Sequence, residues 1–121
     1  MRSLFAACIA LALFTACKKN QAGGNSEIYG TVVHHSLKIP NAVIYIKYNA
    51  TEFPGEDVMK YDAQIQADSE ARYSFKCYKG DYFLYAVGFD NAISEQVKGG
   101  VPVKVRSKEK IEATIAVKEE H

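Results

Sequence analysis

No basic patch and no acidic tail occurs in this sequence, in which 15 Lys and Arg stand against 14 Asp and Glu for a formal net charge of +1. That balance lacks the electrostatic footprint of a nucleic-acid binder. No apolar run reaches the roughly 20 residues that span a bilayer. The catalytic templates Gly-x-Ser-x-Gly and His-Glu-x-x-His are absent, and no cysteine and histidine are paired by spacing. The sequence therefore supports a non-enzymatic reading with no cofactor. Cysteine is scarce as well, at positions 8, 17 and 77 only. Helix signals are equally thin. The best candidate, residues 61–68, has neither a cap nor a clean apolar stripe, and reads as loop leading into strand.

What is present begins at the amino terminus. Arg2 supplies one positive charge, residues 4–14 are almost wholly apolar, and Thr15-Ala16 places a small residue before Cys17. Charge, apolar run and small residue in that order are a secretory signal pattern. Phe14-Thr15-Ala16-Cys17 resembles the lipobox of bacterial lipoproteins, with Phe14 in the usual place of Leu. The resemblance implies a signal peptide over 1–16, removed before a lipidated Cys17. Two or three acyl chains on one cysteine hold a membrane stably, since each buried methylene contributes about 0.8 kcal/mol. Residues 17–26 then read as the lipidated cysteine and a polar, Gly-rich flexible tether. Position 18 is Lys rather than Asp, and no acidic run follows Cys17. By resemblance to sorted lipoproteins this points to the outer membrane, facing the periplasm. Loss of Arg2 brings basic and acidic residues into balance. Cys8 leaves with the signal and Cys17 carries lipid, so Cys77 has no intrachain partner.

Residues 27–118 read as one small domain. Apolar and β-branched runs fall at 28–33, 42–48, 64–67, 72–78, 81–89, 101–105 and 111–117, with turn chemistry between them, including Pro40-Asn41, Lys79-Gly80 and Gly99-Gly100. Seven short strands in such a length predict an all-β antiparallel sandwich. Ile28-x-Gly30-x-Val32, Ile39-Pro40-Asn41-Ala42-x-Ile44-x-Ile46, Ala71-x-Tyr73-x-Phe75 and Gly80-x-Tyr82-x-Leu84-x-Ala86 together resemble the carboxypeptidase regulatory-like domain. The family's usual Asp-Gly before the Tyr-x-Phe strand is Glu70-Ala71 here. The resemblance implies a seven-stranded, Greek-key, transthyretin (prealbumin)-like β-sandwich. It also implies a module that assists folding, docking or contact with carbohydrate or protein. A hydrolase of hydroxyisourate shares the transthyretin fold, but its carboxy-terminal Tyr-Arg-Gly-Ser is replaced by Lys118-Glu119-Glu120-His121.

Alternation along the strands predicts that Ile28, Val32, Ala42, Ile44, Ile46, Tyr73, Phe75, Cys77, Tyr82, Leu84 and Ala86 point inward. Cys77 is then a small core hydrophobe, and Tyr82 a corner tyrosine whose hydroxyl meets a backbone group. The opposite phase is also apolar: Val43, Tyr45, Phe83, Tyr85, Val87 and Phe89. Three readings follow. The 49–63 loop, with Phe53, Met59 and Tyr61, covers this face; the face is an exposed binding surface; or the register is shifted by one residue. Candidate contacts for a glycan or an envelope protein are Tyr45, Tyr48, Phe53, Tyr61, Phe83 and Tyr85, with Tyr78 beside them. A purely structural envelope lipoprotein without a small-molecule ligand is the alternative. His34 and His35 point to opposite faces on a regular strand, so they read as solvated turn histidines and no metal site is expected, unless a turn relaxes that rule. Glu52, Glu56, Asp57 and Asp62 read as a solvated charged loop.

Overall fold

The computed structural model describes residues 19–119. Residues 1–16, expected as a signal peptide, Cys17 and His121 lie outside them. In chain order the strands are β1 (Ala22–His34), β2 (Leu37–Lys38), β3 (Val43–Tyr48), β4 (Ala63–Gln66), β5 (Arg72–Cys77), β6 (Gly80–Asp90), β7 (Glu95–Val105), β8 (Lys110–Glu112), β9 (Ile115–Ala116) and β10 (Lys118–Glu119). One turn of 3₁₀ helix, Val58–Lys60, lies between β3 and β4. Among the described residues no helix is long and apolar enough to cross a membrane.

Two sheets form, and the architecture is an all-β sandwich. In the first, β1 pairs antiparallel with β5 and β2 and parallel with β8 and β9. The second runs β10-β7-β6-β3-β4, every pair antiparallel. All eleven residues expected to point inward lie in the core cluster between the sheets, joined by Ile39, Val97, Val103, Val105, Ile115 and Val117. The alternation thus gives the register correctly. Burying each large apolar side chain contributes about 1.5–3 kcal/mol. Cys77 is buried and free among them, and burial pushes its thiol pKa up, away from reactivity.

The strand boundaries differ from the sequence pattern in three places. The stretch expected as a tether over 17–26 is largely taken into the domain. Asn20 donates its N–H to the Lys79 carbonyl, Tyr78 donates to the Gln21 carbonyl, and β1 already begins at Ala22. The register slips between Ala22 and Ser26, where Gly23 and Gly24 adopt positive φ. Polar backbone bonds hold this segment, so hydrophobic periodicity does not register it. β7 begins six residues before the run 101–105, because Gly99-Gly100 is strand and not turn. There a Cβ would collide with the Ala116 carbonyl oxygen at 2.1 Å and with the Phe83 ring at 2.4 Å. The run 111–117 breaks into β8 and β9, with the Ala113 N–H donating to the Tyr29 carbonyl and the Ala113 carbonyl accepting from the Tyr73 hydroxyl at 2.5 Å. That carbonyl lies 2.0 Å from where a Cβ on Gly30 would stand, which explains the glycine.

The two sheets are joined by polar contacts at both ends. At one end the Tyr82 hydroxyl donates to the Tyr78 carbonyl at 2.6 Å and accepts the Gln21 N–H at 2.8 Å, the corner role expected of it. At the other end His34, the last residue of β1, meets Asp90, the last of β6. Replacement of Tyr82 by Phe keeps the packed ring and removes the hydroxyl. It should lower the free energy of unfolding by about 1–3 kcal/mol in urea denaturation.

Candidate functional site

Two groups of side chains carry chemistry. The first lies on the outer face of the second sheet. Tyr82 to Ala86 of β6 are buried without alternation. Tyr82, Leu84 and Ala86 face the core, while Phe83 and Tyr85 face away from it and are still only 6% and 3% exposed. The 49–63 segment covers them. The Phe53 ring lies 5.8 Å from Phe83 and 5.3 Å from Tyr85, and Tyr61 stacks on Tyr85 at 5.8 Å with 21° between the rings. Tyr45 completes the cluster, 6.0 Å from Tyr61 and 6.5 Å from Tyr85. The covering loop is thus found over Tyr45, Phe83 and Tyr85, while Phe89 of the same phase stays 49% exposed.

Charged residues of the segment hold it in place. The Asp62 carboxylate accepts the Tyr48 N–H at 2.7 Å and pairs with Lys47 at 3.5 Å. Asp57 caps the 3₁₀ turn by accepting the Met59 N–H, and the Tyr61 hydroxyl donates to the Gly55 carbonyl at 2.9 Å. Glu56 reaches Lys98 of β7 at 3.4 Å. Burial pushes the Tyr61 phenol up to about 12. Asp62 and Glu56 therefore fasten the loop to β3 and β7, while Asp57 holds the loop's own turn.

The expected contact residues separate accordingly. Phe83 and Tyr85 are covered, which corrects their placement on an open contact surface. Tyr45 and Tyr61 are half-buried in the same cluster. Tyr48 turns to the core edge, its ring edge-on to Tyr82 at 6.0 Å. Tyr78 is half-buried against Gly23 and Gly24. Phe53 remains 51% exposed. Beside it a hollow of about 270 Å³ opens over Gly99 and Gly100, with Phe83 and Tyr85 at its base and Lys98, Lys118 and Glu56 at its rim.

The second group was not expected. His34 is 5% exposed, not solvated. Its Nδ1 lies 2.7 Å from Asp90 Oδ2, and its Nε2 hydrogen-bonds Glu119 of β10. Asp90 is buried as well and also accepts the Ala92 N–H at 2.9 Å, closing the turn between β6 and β7. His35 leaves the strand with φ of 57°, so the opposed-face rule for neighbours does not apply. Its ring comes to 4.4 Å from that of His34. A sequence signal for His34 did exist: it continues the inward phase of Ile28, Gly30 and Val32. Nothing local announces Asp90 or Glu119, which lie 56 and 85 residues away. Both ring nitrogens of His34 face carboxylates, so it does not activate a hydroxyl or thiol nucleophile.

The electrostatics of the pair are reciprocal. The Asp90 carboxylate raises the His34 pKa above its ordinary value, against the opposing effect of burial, with Glu119 adding to the rise. Hydrogen bonding to His34 lowers that of Asp90. A raised histidine pKa stabilises the fold fully below the unfolded value of about 6.5 and loses that contribution as pH rises through the folded value. The depressed Asp90 contribution is present above about pH 3.9 and is lost as pH falls through the folded value. In metal-free buffer the melting temperature should therefore fall as pH is raised from 6 to 9, and His34→Gln should flatten that slope. An unchanged slope in the variant would assign the pH dependence elsewhere.

No protein-family model matches the chain and no curated protein matches it.

Proposed function

We propose that the chain is a lipid-anchored module of the bacterial cell envelope that binds carbohydrate without catalysis. The observation that carries this reading is the hollow beside Phe53. An exposed aromatic ring over an aromatic base supplies a stacking face, while Lys98, Lys118 and Glu56 supply charged donors and acceptors at its edge. Apolar faces with a few polar groups at the rim suit a sugar ring, which presents C–H on its faces and hydroxyls around its edge. Phe53 is the principal contact in this reading. Phe83 and Tyr85 position it, and Tyr45 and Tyr61 keep the covering segment seated.

The lipobox resemblance supports anchoring through acylated Cys17 at the outer membrane, on the periplasmic side. Asn20 and Gln21 are bonded to the domain, so little free chain separates the lipid from the sandwich in this reading. The two-sheet architecture and the inward-facing residues of the resemblance support a transthyretin-like, Greek-key relative of the carboxypeptidase regulatory-like domains. Burial of Phe83 and Tyr85 under the 49–63 segment favours a second reading, a structural envelope lipoprotein with no small-molecule ligand.

Two experiments test these statements. Metabolic labelling with palmitate should mark the wild-type chain and not Cys17→Ser, and that variant should move from the membrane to the soluble fraction. Label retained in the variant would remove the anchor. On a glycan array the purified protein should retain at least one class of glycan, with Phe53→Ala weakening retention about tenfold, or 1.4 kcal/mol. A blank array would leave the structural reading in place of the binding one.

A further inference from the structure

We propose that His34, His35 and Glu119 form a binding site for a divalent transition cation of the zinc class, with Asp90 as the group that orients His34. One ligating atom from each of the three residues lies within 4.8 Å of the others. Two imidazoles and one carboxylate are a zinc-type donor set; calcium and magnesium prefer sites built wholly of oxygen. Donor atoms about 2.0–2.2 Å from a tetrahedral ion stand roughly 3.3–3.5 Å apart. Reaching that spacing draws the Glu119 carboxylate back from its hydrogen bond to His34 Nε2 and brings the His35 ring inward. His35 is exposed, and Glu119 lies on a two-residue strand.

The third carboxylate strengthens the assignment. Metal-binding histidines nearly always donate their other ring N–H to a carboxylate or carbonyl, which fixes the tautomer and aims the lone pair at the ion. Asp90 does this at Nδ1 of His34, at 2.7 Å and buried. Nε2 is thereby the ligating nitrogen, and it already faces Glu119. The left-handed backbone of His35 brings the second imidazole to the same side, although none of the hydrogen bonds of His34 involves it. A buried ion pair alone accounts for Asp90 and Glu119 but gives the His35 ring no role. Water from the exposed side of His35 fills the fourth position. The ion would tie the end of β1, in one sheet, to β10, in the other. The site is independent of the hollow beside Phe53.

The test uses the purified full-length chain in detergent, with zinc chloride as titrant and cobalt(II) as spectroscopic probe. Calorimetry should give one zinc per chain, and zinc should raise the melting temperature. Cobalt should give the intense visible bands of four-coordinate geometry. His35→Ala removes an exposed side chain, so the fold survives, as its zinc-free melting temperature will show. This variant and Glu119→Gln should each weaken zinc at least about tenfold, while His121→Ala binds as the wild type does. Wild-type protein that takes up no zinc at micromolar concentration overturns the proposal. So does a His35→Ala variant with wild-type affinity, or binding that is lost only on removal of His121.

Discussion

The fold is organised around a strand whose centre has no face left for water. β6 is hydrogen-bonded along both edges, to β3 and to β7. Its central residues, Tyr82 to Ala86, are buried on both faces. A five-residue apolar stretch in that position requires two coverings. The first sheet supplies one and builds the main core. The 49–63 segment supplies the other with Phe53 and Tyr61, and Asp62 and Glu56 bind it to the sheet below. Antiparallel sheets commonly leave one face solvated; here an aromatic layer takes that place, and Gly100 of β7 lets the Phe83 ring lie close against the strand.

Much of this was legible in the residues. The inward phase of β1, β3, β5 and β6 follows from plain alternation, because side-chain direction reverses at every residue of a strand. The corner role of Tyr82 was legible for the same reason, since its hydroxyl falls at a strand entry. The ambiguity at Phe83 and Tyr85 was real: two apolar phases on one strand are compatible with a lid, a binding face or a slipped register, and only the position of Phe53 and Tyr61 separates them.

What was not legible depends on groups far apart in the chain. The start of β1 is held by backbone hydrogen bonds to Lys79 and Tyr78 and by the Tyr82 hydroxyl, which leave no hydrophobic trace in a segment of Asn, Gln, Gly and Ser. Gly99-Gly100 has the composition of a turn, and close approach by Ala116 and Phe83 decides otherwise. His34 was misplaced because its partners come from two other strands. A histidine in the inward phase of a strand calls for buried hydrogen-bond partners, and that requirement was the available clue.

The two ends of the sandwich have a mechanical meaning. β1 enters beside Tyr82 and finishes at His34, while β6 runs the same way from Gly80 to Asp90, ten residue steps or about 33 Å. A pull arriving through residue 19 and resisted at the far end acts along β1 and its ladders to β5, β8 and β9. Those hydrogen bonds are loaded in shear and must yield together, whereas a ladder peeled from its end yields one bond at a time. Because Asn20 and Gln21 are bonded to Lys79, Tyr78 and Tyr82, the pull is shared with the second sheet at the point of entry. A chain held at these two points would therefore carry tension along β1, and its lifetime under such a load would be set by the rate of forced unfolding rather than by equilibrium stability.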